Sequence, residues 1–579
     1  MKNPSVRKLW KRLKPHKGLL LLALLTAVVS ISLTLLIPVL IGAAIDKIIA
    51  RGEVYFEAVA QILLYIGVAI GGVAVCQWLM NYFVNVISYR IVRDLRRDIF
   101  RKFNTVPLSY TDTHAHGDLL SRVINDVDAI GDGLTQVCLQ LFSGVVTIVG
   151  TLIFMLAIDW RIALAVFILT PMSLFLAAFI GRLTHRTFTE QQVLQGEISS
   201  YVEEHVGNQR IVKAFSYEQR AYEGFEEYNQ RLLKVGFRAQ FAGALANPST
   251  RFVNALVYAA VAVFGAITVL SGGLTIGGLS TFLTYANQYT KPFNEVTGVL
   301  TQLQTGLAAA ERVFQTLEAE DESPDDDKIS EVKDCRGNVK IEDVSFSYVP
   351  EKPLIRHFSL DVPSGCHVAI VGPTGCGKTT LINLLMRFYE VSDGRILLDG
   401  VDIRDLSRDA LRRCYGMVLQ ESWLFCGTIM ENLRYGNENA TDAEVIAAAK
   451  AAHAHSFIRR MPQGYDTLVS EGGGNLSQGQ KQLLCIARAM LTNPSVLILD
   501  EATSSIDTLT EIRVQKAFAK MMKGRTSFVV AHRLSTIKES DVILVMKDGN
   551  IIEQGSHEEL LKQGGFYTNL YNSQFAGQE

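Results

Sequence analysis

The chain has 579 residues, too many for one ordinary core, so two or more domains are expected. Its 56 Lys and Arg nearly balance 58 Asp and Glu, for a net charge of −2, and this leaves no basic footprint for nucleic acid. The 8 cysteines lack paired metal-ligand spacing, which argues against a disulfide framework and against a zinc site.

The start, MKNPSVRKLWKRLKPHKG, is basic without an acidic residue. The apolar run behind it is longer than a secretory signal core, so no cleavable leader is expected. It reads instead as an amphipathic segment on the cytoplasmic face, with Trp10 at the interface. Uncharged stretches follow at Gly18 to Ile45, Ala58 to Tyr89, Gly133 to Ile158, Ile162 to Gly181 and Phe252 to Thr290. A span needs about 20 residues, and the fifth stretch is broken by the turn signal SGGLTIGG, so six spans are expected. They fall at about 18–45, 58–89, 133–158, 162–181, 252–271 and 279–300.

Lys and Arg crowd the N-terminus, the segment from Arg90 to Lys102 and the segment after Arg182, which places the N-terminus inside. An even span count returns the second half to the cytoplasm. The inside connections are long and amphipathic, so the spans are expected to continue as helices into the cytoplasm. Gln77, Asn81, Asn85, Gln136, Gln140, Asn287 and Gln288 stand at membrane depth, where a polar side chain is costly unless it faces a cavity or a partner. Interhelical hydrogen bonding accounts for each equally well, and none is assigned to cargo.

The acidic EAEDESPDDDK has the composition of an exposed linker. Beyond it, NVKIEDVSFSYV reads as a strand, and CHVAIVGPTGCGKTTLINLL supplies strand, loop and helix in order. Gly372, Gly375, Gly377, Lys378 and Thr379 fit G-x-x-x-x-G-K-[ST]. Glycines let backbone amides wrap phosphates, Lys378 reaches the outer phosphates and the Thr379 hydroxyl suits Mg²⁺. Cys376, beside Lys378 at a helix N-terminus, is expected to be reactive, or else simply to fill the loop. SVLILDEATSSID ends an apolar run in Asp500 and Glu501. In a phosphate-loop domain Asp500 would hold Mg²⁺ and Glu501 would orient or deprotonate the attacking water. Two more runs place Gln420 and His532 at comparable strand ends. In GGGNLSQGQKQLLCIARAML, Ser477 and Gln480 form a capping box ahead of a helix over about 480–491, whose N-terminus could also receive an anion.

Taken in this order and spacing, the motifs resemble the ATP-binding cassette (ABC) exporter half-transporters over nearly the whole chain. The resemblance implies a polytopic α-helical membrane domain with six transmembrane helices (1–317), a linker (318–336) and an α/β P-loop ATPase domain (337–579). It implies that Gly372, Pro373, Thr374, Gly375, Cys376, Gly377, Lys378, Thr379 and Thr380 bind ATP and that Tyr348 stacks on adenine. Thr379, Gln420 and Asp500 would hold Mg²⁺, and Glu501, His532 and Gln420 would be catalytic. LSQGQ is similar to the family signature LSGGQ, so Ser477, Gln478, Gly479 and Gln480 would face ATP on a partner subunit, with Asp507 in the D-loop. The tips near Ser109 to His116 and Phe215 to Arg220 look like coupling helices. The implied activity is ATP-driven export of amphipathic drugs or lipids by alternating access, in a bacterial inner membrane, with N-terminus and ATPase domain cytoplasmic. Peptide or metal-chelate cargo, and an ATP-gated channel or regulatory membrane protein, are the alternatives.

One residue departs from the pattern. Gln478 replaces a glycine where backbone and phosphate approach closely, which should weaken that site, while Glu501 and His532 are intact. A heterodimer with a second half-transporter carrying LSGGQ but lacking the glutamate is favoured over a homodimer that tolerates the glutamine.

Overall fold

A backbone that crosses hydrocarbon must satisfy its amides internally, which selects helices for the apolar half of the chain. The computed structural model describes residues 4–48, 55–169, 171–332, 334–349, 351–419, 422–500, 507–530 and 537–575. It divides into two units, Met1–Asn104 with His114–Ala319 and Thr105–Thr113 with Glu320–Glu579.

The helices in chain order are α1 (Pro4–Leu13), α2 (Lys17–Ile48), α3 (Phe56–Phe103), α4 (Leu108–Thr113), α5 (His116–Ser121), α6 (Val127–Ile158), α7 (Trp160–Leu169), α8 (Pro171–Gly207), α9 (Gln209–Ala214), α10 (Glu218–Ala244), α11 (Ala246–Leu270) and α12 (Ile276–Leu317). Among the described residues, four helical segments are long and apolar enough to cross a membrane: Pro4–Ile48, Phe56–Phe103, His116–Ile158 and Arg251–Leu270. The other two expected spans fall in α7–α8, partly outside the described residues, and in α12, where Asn287, Gln288 and Lys291 dilute the apolar run. The turn expected in SGGLTIGG separates α11 from α12. There Gly272 takes φ +79° and the Thr275 hydroxyl caps α12 by accepting from the Gly278 amide.

α1 is amphipathic, as the sequence implies. Leu9 and Leu13 bury themselves with Ile87, Ile91, Val313 and Phe314, while Trp10 stays exposed. Around the expected tip near Phe215 to Arg220, the short α9 ends at Ala214, the chain turns at Phe215–Tyr217, with Ser216 at φ +50° and the Tyr217 amide donating to the Val212 carbonyl at 2.9 Å, and α10 begins at Glu218.

α2 and α12 meet backbone to backbone. A Cβ on Gly277 would stand 1.9 Å from the Gly42 carbonyl oxygen. Around this crossing the Gly277 amide donates to Asp46 (2.7 Å) and the Thr281 hydroxyl to the Pro38 carbonyl (2.9 Å). Small residues let such helices approach, and polar side chains then fasten them.

In the second unit the strands are β1 (Val339–Phe346), β2 (Ile355–Val362), β3 (His367–Val371), β4 (Asp393–Leu398), β5 (Val401–Asp402), β6 (Tyr415–Val418), β7 (Gly427–Thr428), β8 (Leu468–Val469), β9 (Val496–Asp500), β10 (Thr526–Val530), β11 (Val542–Lys547) and β12 (Asn550–Gly555). An antiparallel sheet has the order β2-β1-β4-β5, and a six-stranded sheet the order β12-β11-β3-β10-β9-β6. In the larger sheet β11, β3, β10, β9 and β6 are parallel, and β12 closes one edge antiparallel. The acidic stretch is more firmly held than its composition suggests. Arg408, mostly buried, pairs with Glu322 and Asp325 and donates to the Ser323 carbonyl at 2.8 Å.

Gly277→Ala should lower thermal stability by about 1–3 kcal/mol, the usual range for forced overpacking. The check is the melting temperature of detergent-solubilised protein beside Gly71→Ala, whose added Cβ meets nothing within 4 Å. Equal melting of the two variants would contradict the α2–α12 contact.

Candidate functional site

β3 sits inside the large sheet between β11 and β10, and its end runs into the loop that opens the helix Lys378–Leu385. Two neighbours shape this loop. A Cβ on Gly372 would lie 2.2 Å from the Met546 carbonyl oxygen of β11, so the loop passes against bare backbone. Gly377 takes φ +104° at the helix N-cap, a conformation glycine adopts without strain. Across the loop, Lys378 Nζ donates to the Gly372 and Pro373 carbonyls at 2.8 and 2.9 Å.

The turn between β11 and β12 presses on the same loop. The Gly549 amide donates to the Cys376 carbonyl at 3.1 Å, and a Cβ on Gly549, at φ +79°, would fall 1.3 Å from the Leu354 carbonyl oxygen. Nothing local in the sequence singles out this glycine. Cys376 itself is 3 % exposed and belongs to the cassette core. Its thiol is buried in the loop, with Lys378 Nζ 3.9 Å from the sulfur.

Tyr348 lies just past β1 and is 47 % exposed. Its hydroxyl donates to Thr380 Oγ1 (3.2 Å) and accepts from Asn383 (3.3 Å), which ties the ring to the helix behind the loop. Phe346 and Tyr389 pack against the ring in T-shaped contacts, each with centroids 4.9 Å away. Tyr389 in turn donates to Asp112 of α4 at 2.5 Å. Burial, and then the Asp112 carboxylate, hold the Tyr389 hydroxyl well above the usual phenol range. The segment Thr105–Thr113 is thus fastened to the aromatic cluster around Tyr348, a link that sequence reading missed because 277 residues separate its ends.

The parallel register sets Asp500 of β9 opposite Val530 of β10, which pairs with Ile370 of β3. Asp500 therefore stands two strands, about 10 Å, from the strand that feeds the loop, at the carboxyl ends where α/β sheets bind ligands. Gln420, Glu501 and His532 lie outside the described residues. Asp507 caps the helix Thr508–Met522, and the Thr510 backbone amide that it accepts holds its carboxyl below the usual range.

The helix at the signature spans Gln478–Leu491, two residues longer than expected. Ser477 is its N-cap: the Gln480 amide donates to Ser477 Oγ (3.3 Å) and the Ser477 amide to Gln480 Oε1 (3.0 Å). Gln478 begins the helix with its side chain exposed, and Gly479 is buried.

A glycine-lined loop with a lysine and a helix N-terminus fits a polyphosphate, and Thr379 and Asp500 supply hard oxygen donors of the kind Mg²⁺ takes. A phosphate-loop cassette encoded behind a helical membrane unit defines an ATP-driven membrane protein. The family comparisons make this specific. Residues 20–293 match the family model of the ABC transporter transmembrane region, and residues 355–504 the model described as ABC transporter. An uncharacterized ABC transporter ATP-binding protein of Bacillus subtilis (strain 168), YfiC, is 42 % identical over 99 % of this chain and 94 % of its own. A fatty acid ABC transporter ATP-binding/permease protein of Mycobacterium bovis is 44 % identical over 85 % of this chain and 77 % of its own. A solved bacterial Atm1-family ABC exporter with ATP bound superposes with a TM-score of 0.78 at 29 % identity, covering 98 % of this chain and 99 % of that one. The chain belongs to the ABC transporter family. It joins one transmembrane region to one ATP-binding cassette in the half-transporter arrangement, with the exporter fold and with ATP hydrolysis coupled to transport.

Gly549→Ala should destabilise the cassette by about 2–4 kcal/mol, from overpacking plus left-handed strain, and should weaken ATP binding. Thermal melts with and without ATP test this, and an unchanged nucleotide affinity would show that the β11–β12 turn does not set the loop. Ser477→Ala should cost about 1 kcal/mol through the lost cap, and Ser477→Asp should retain most of it. Equal melting of the two Ser477 variants would contradict the capping role.

Proposed function

We propose that this chain is one half of an exporter that moves amphipathic small molecules, of the drug or lipid class, out of a bacterial cytoplasm by alternating access. The observation that carries the proposal is the match to an exporter structure over 98 % of the chain, both units included. A relative named for fatty acid transport supports lipid-like cargo, and the bacterial relatives support the inner membrane.

In this reading the backbone amides from Thr374 to Thr380 and the Lys378 ammonium bind the phosphates, with Gly372 and Pro373 lining the loop, and the half-exposed Tyr348 ring stacks on the base. Thr379, Asp500 and Gln420 hold Mg²⁺, whose chemistry is to neutralise charge developing on the transferred phosphoryl group. Glu501 takes a proton from the attacking water, and His532 steadies the phosphate that leaves. Ser477, Gln478, Gly479 and Gln480 lie against ATP held by the other subunit, with Asp507 beside it. Exporters of this family work as dimers. Gln478, at the first helical position, puts a side chain where a signature glycine would leave room, so the second subunit of the proposed dimer is a different half-transporter and one of the two sites is slow.

Glu501→Gln should lower the ATPase kcat by about 100-fold or more while ATP still binds, the usual weight of a general base. Retained turnover would remove Glu501 from that role. Purification from native membranes through a tag on this chain should recover a second, similar-sized chain with LSGGQ and no glutamate matching Glu501. Recovery of this chain alone as a dimer would overturn the heterodimer and leave the exporter reading standing.

A further inference from the structure

Two cysteines of the cassette, far apart in the chain, are brought together away from the phosphate loop. Cys335 precedes β1, and Cys414 ends the helix Arg408–Cys414 and leads straight into β6. Ser495, just ahead of β9, ties both backbones: its amide donates to the Cys414 carbonyl at 3.1 Å and its hydroxyl to the Cys335 carbonyl at 2.7 Å. The Asp399 carboxylate pins the chain behind Cys335 by accepting the Arg336 and Asn338 amides, each at 2.8 Å. Both cysteines are free thiols on the same apolar core, Cys414 buried and Cys335 half-buried.

Their side chains face each other. The Cys414 thiol donates to the Ala410 carbonyl at 3.5 Å, and its sulfur is also within hydrogen-bond reach of Cys335. Turned to Cys335, that S–H favours a thiolate there and outweighs burial and the nearby Asp399 charge, which holds the Cys335 thiol below its ordinary range. The same bond, with burial, holds Cys414 well above it. The two thiols therefore have different chemistry: Cys335, reachable from solvent and readier to ionise, is the attacking group, and Cys414 behind it is the resolving one.

We propose that Cys335 and Cys414 form a reversible oxidation site, which reacts with a low-molecular-weight disulfide and closes a disulfide bond between the roots of β1 and β6. The Cys335 thiolate attacks the small disulfide, whose S–S bond breaks, and one small thiolate leaves with the proton that Cys335 gave up. Cys335 is then uncharged, and the interaction that held the Cys414 proton is gone. The Cys414 thiolate attacks the Cys335 sulfur, forms the protein S–S bond and expels the second small thiolate, which takes the Cys414 proton. Two protein thiols are oxidised to one disulfide, and one small disulfide is reduced to two thiols. The bond ties the antiparallel sheet, where β1 lies, to β6 at the edge of the larger sheet. In a reducing compartment such a pair stays open, so it responds to oxidant rather than stapling the fold.

The test treats the reduced full-length protein with oxidised glutathione, at a level sufficient to cap the exposed Cys426, then quenches with an alkylating reagent and reads the peptides by mass spectrometry. The free thiols of Cys335 and Cys414 should be lost together, with the appearance of a linked peptide pair lighter by two hydrogens, and dithiothreitol should restore both. In Cys414→Ser, Cys335 should stop at its glutathione adduct. In Cys335→Ser, Cys414 should remain a free thiol. A native Cys335 adduct that persists beside a free Cys414, or a Cys335 left unreacted where Cys426 has reacted, would overturn the proposal. Loss of the Cys414 thiol at the native rate in Cys335→Ser would overturn it as well, by taking the attacking role from Cys335.

Discussion

A phosphate loop presents its amides inward only if the chains around it leave no side chain in the way. Here that condition is met from a distance. Gly372 runs against the Met546 carbonyl of β11, and Gly549, on the turn that leaves β11, holds the Cys376 carbonyl while pressing on Leu354. The loop is therefore clamped between the strand that starts it and a hairpin formed some 170 residues later in the chain, a long-range closure typical of α/β sheets. The parallel order β11-β3-β10-β9 then brings Asp500 to the same edge. The site is a property of the sheet more than of the motif.

The membrane unit follows the same rule in a different solvent. Without water between helices, packing and internal hydrogen bonds must hold them. Gly42 and Gly277 let α2 and α12 touch backbone to backbone, and Asp46, Thr281 and Tyr285 fasten the crossing with bonds to the Gly277 amide and to the Pro38 and Leu35 carbonyls. Below the spans, buried charges do the same. Asp126 receives Arg312 through its Nε at 2.8 Å, and Arg122 pairs with Asp118 while donating to Thr316. Breaking either pair would leave a charge buried alone, which is why such pairs come as sets.

Local signals in the sequence were legible where the physics is local. The Ser477–Gln480 capping box, the turn between α11 and α12, the amphipathic α1 and the strand–loop–helix around Lys378 all depend on residues a few positions apart. Partners far along the chain were not legible. Tyr389 looks like any aromatic until Asp112 is beside it, and Gly549 like any turn glycine until Leu354 is. The stretch 318–328 is mostly exposed, as its acidic composition suggested, but that Arg408 collects Glu322 and Asp325 was not legible. Cys376 has Lys378 Nζ beside its thiol, as its neighbours in sequence suggest, but its burial is something that sequence does not state. The left-handed turn at Ser216 between α9 and α10 leaves no compositional mark.

The latch on α1 bears on how the protein is made. Lys8 reaches Glu318 at 2.6 Å and lies 5.4 Å from the Phe314 ring centroid, and Arg12 meets Asp98 at 2.5 Å. At about 5–20 residues per second, the roughly 300 residues between Lys8 and Glu318 take on the order of 15–60 s to synthesise. During that interval α1 has its apolar stripe and basic face but not its last partner, and an amphipathic helix of that kind rests on an anionic lipid surface. α1 is thus made well before the partner that completes its latch, and until α12 arrives the Lys8 end of its basic face has only lipid headgroups to meet.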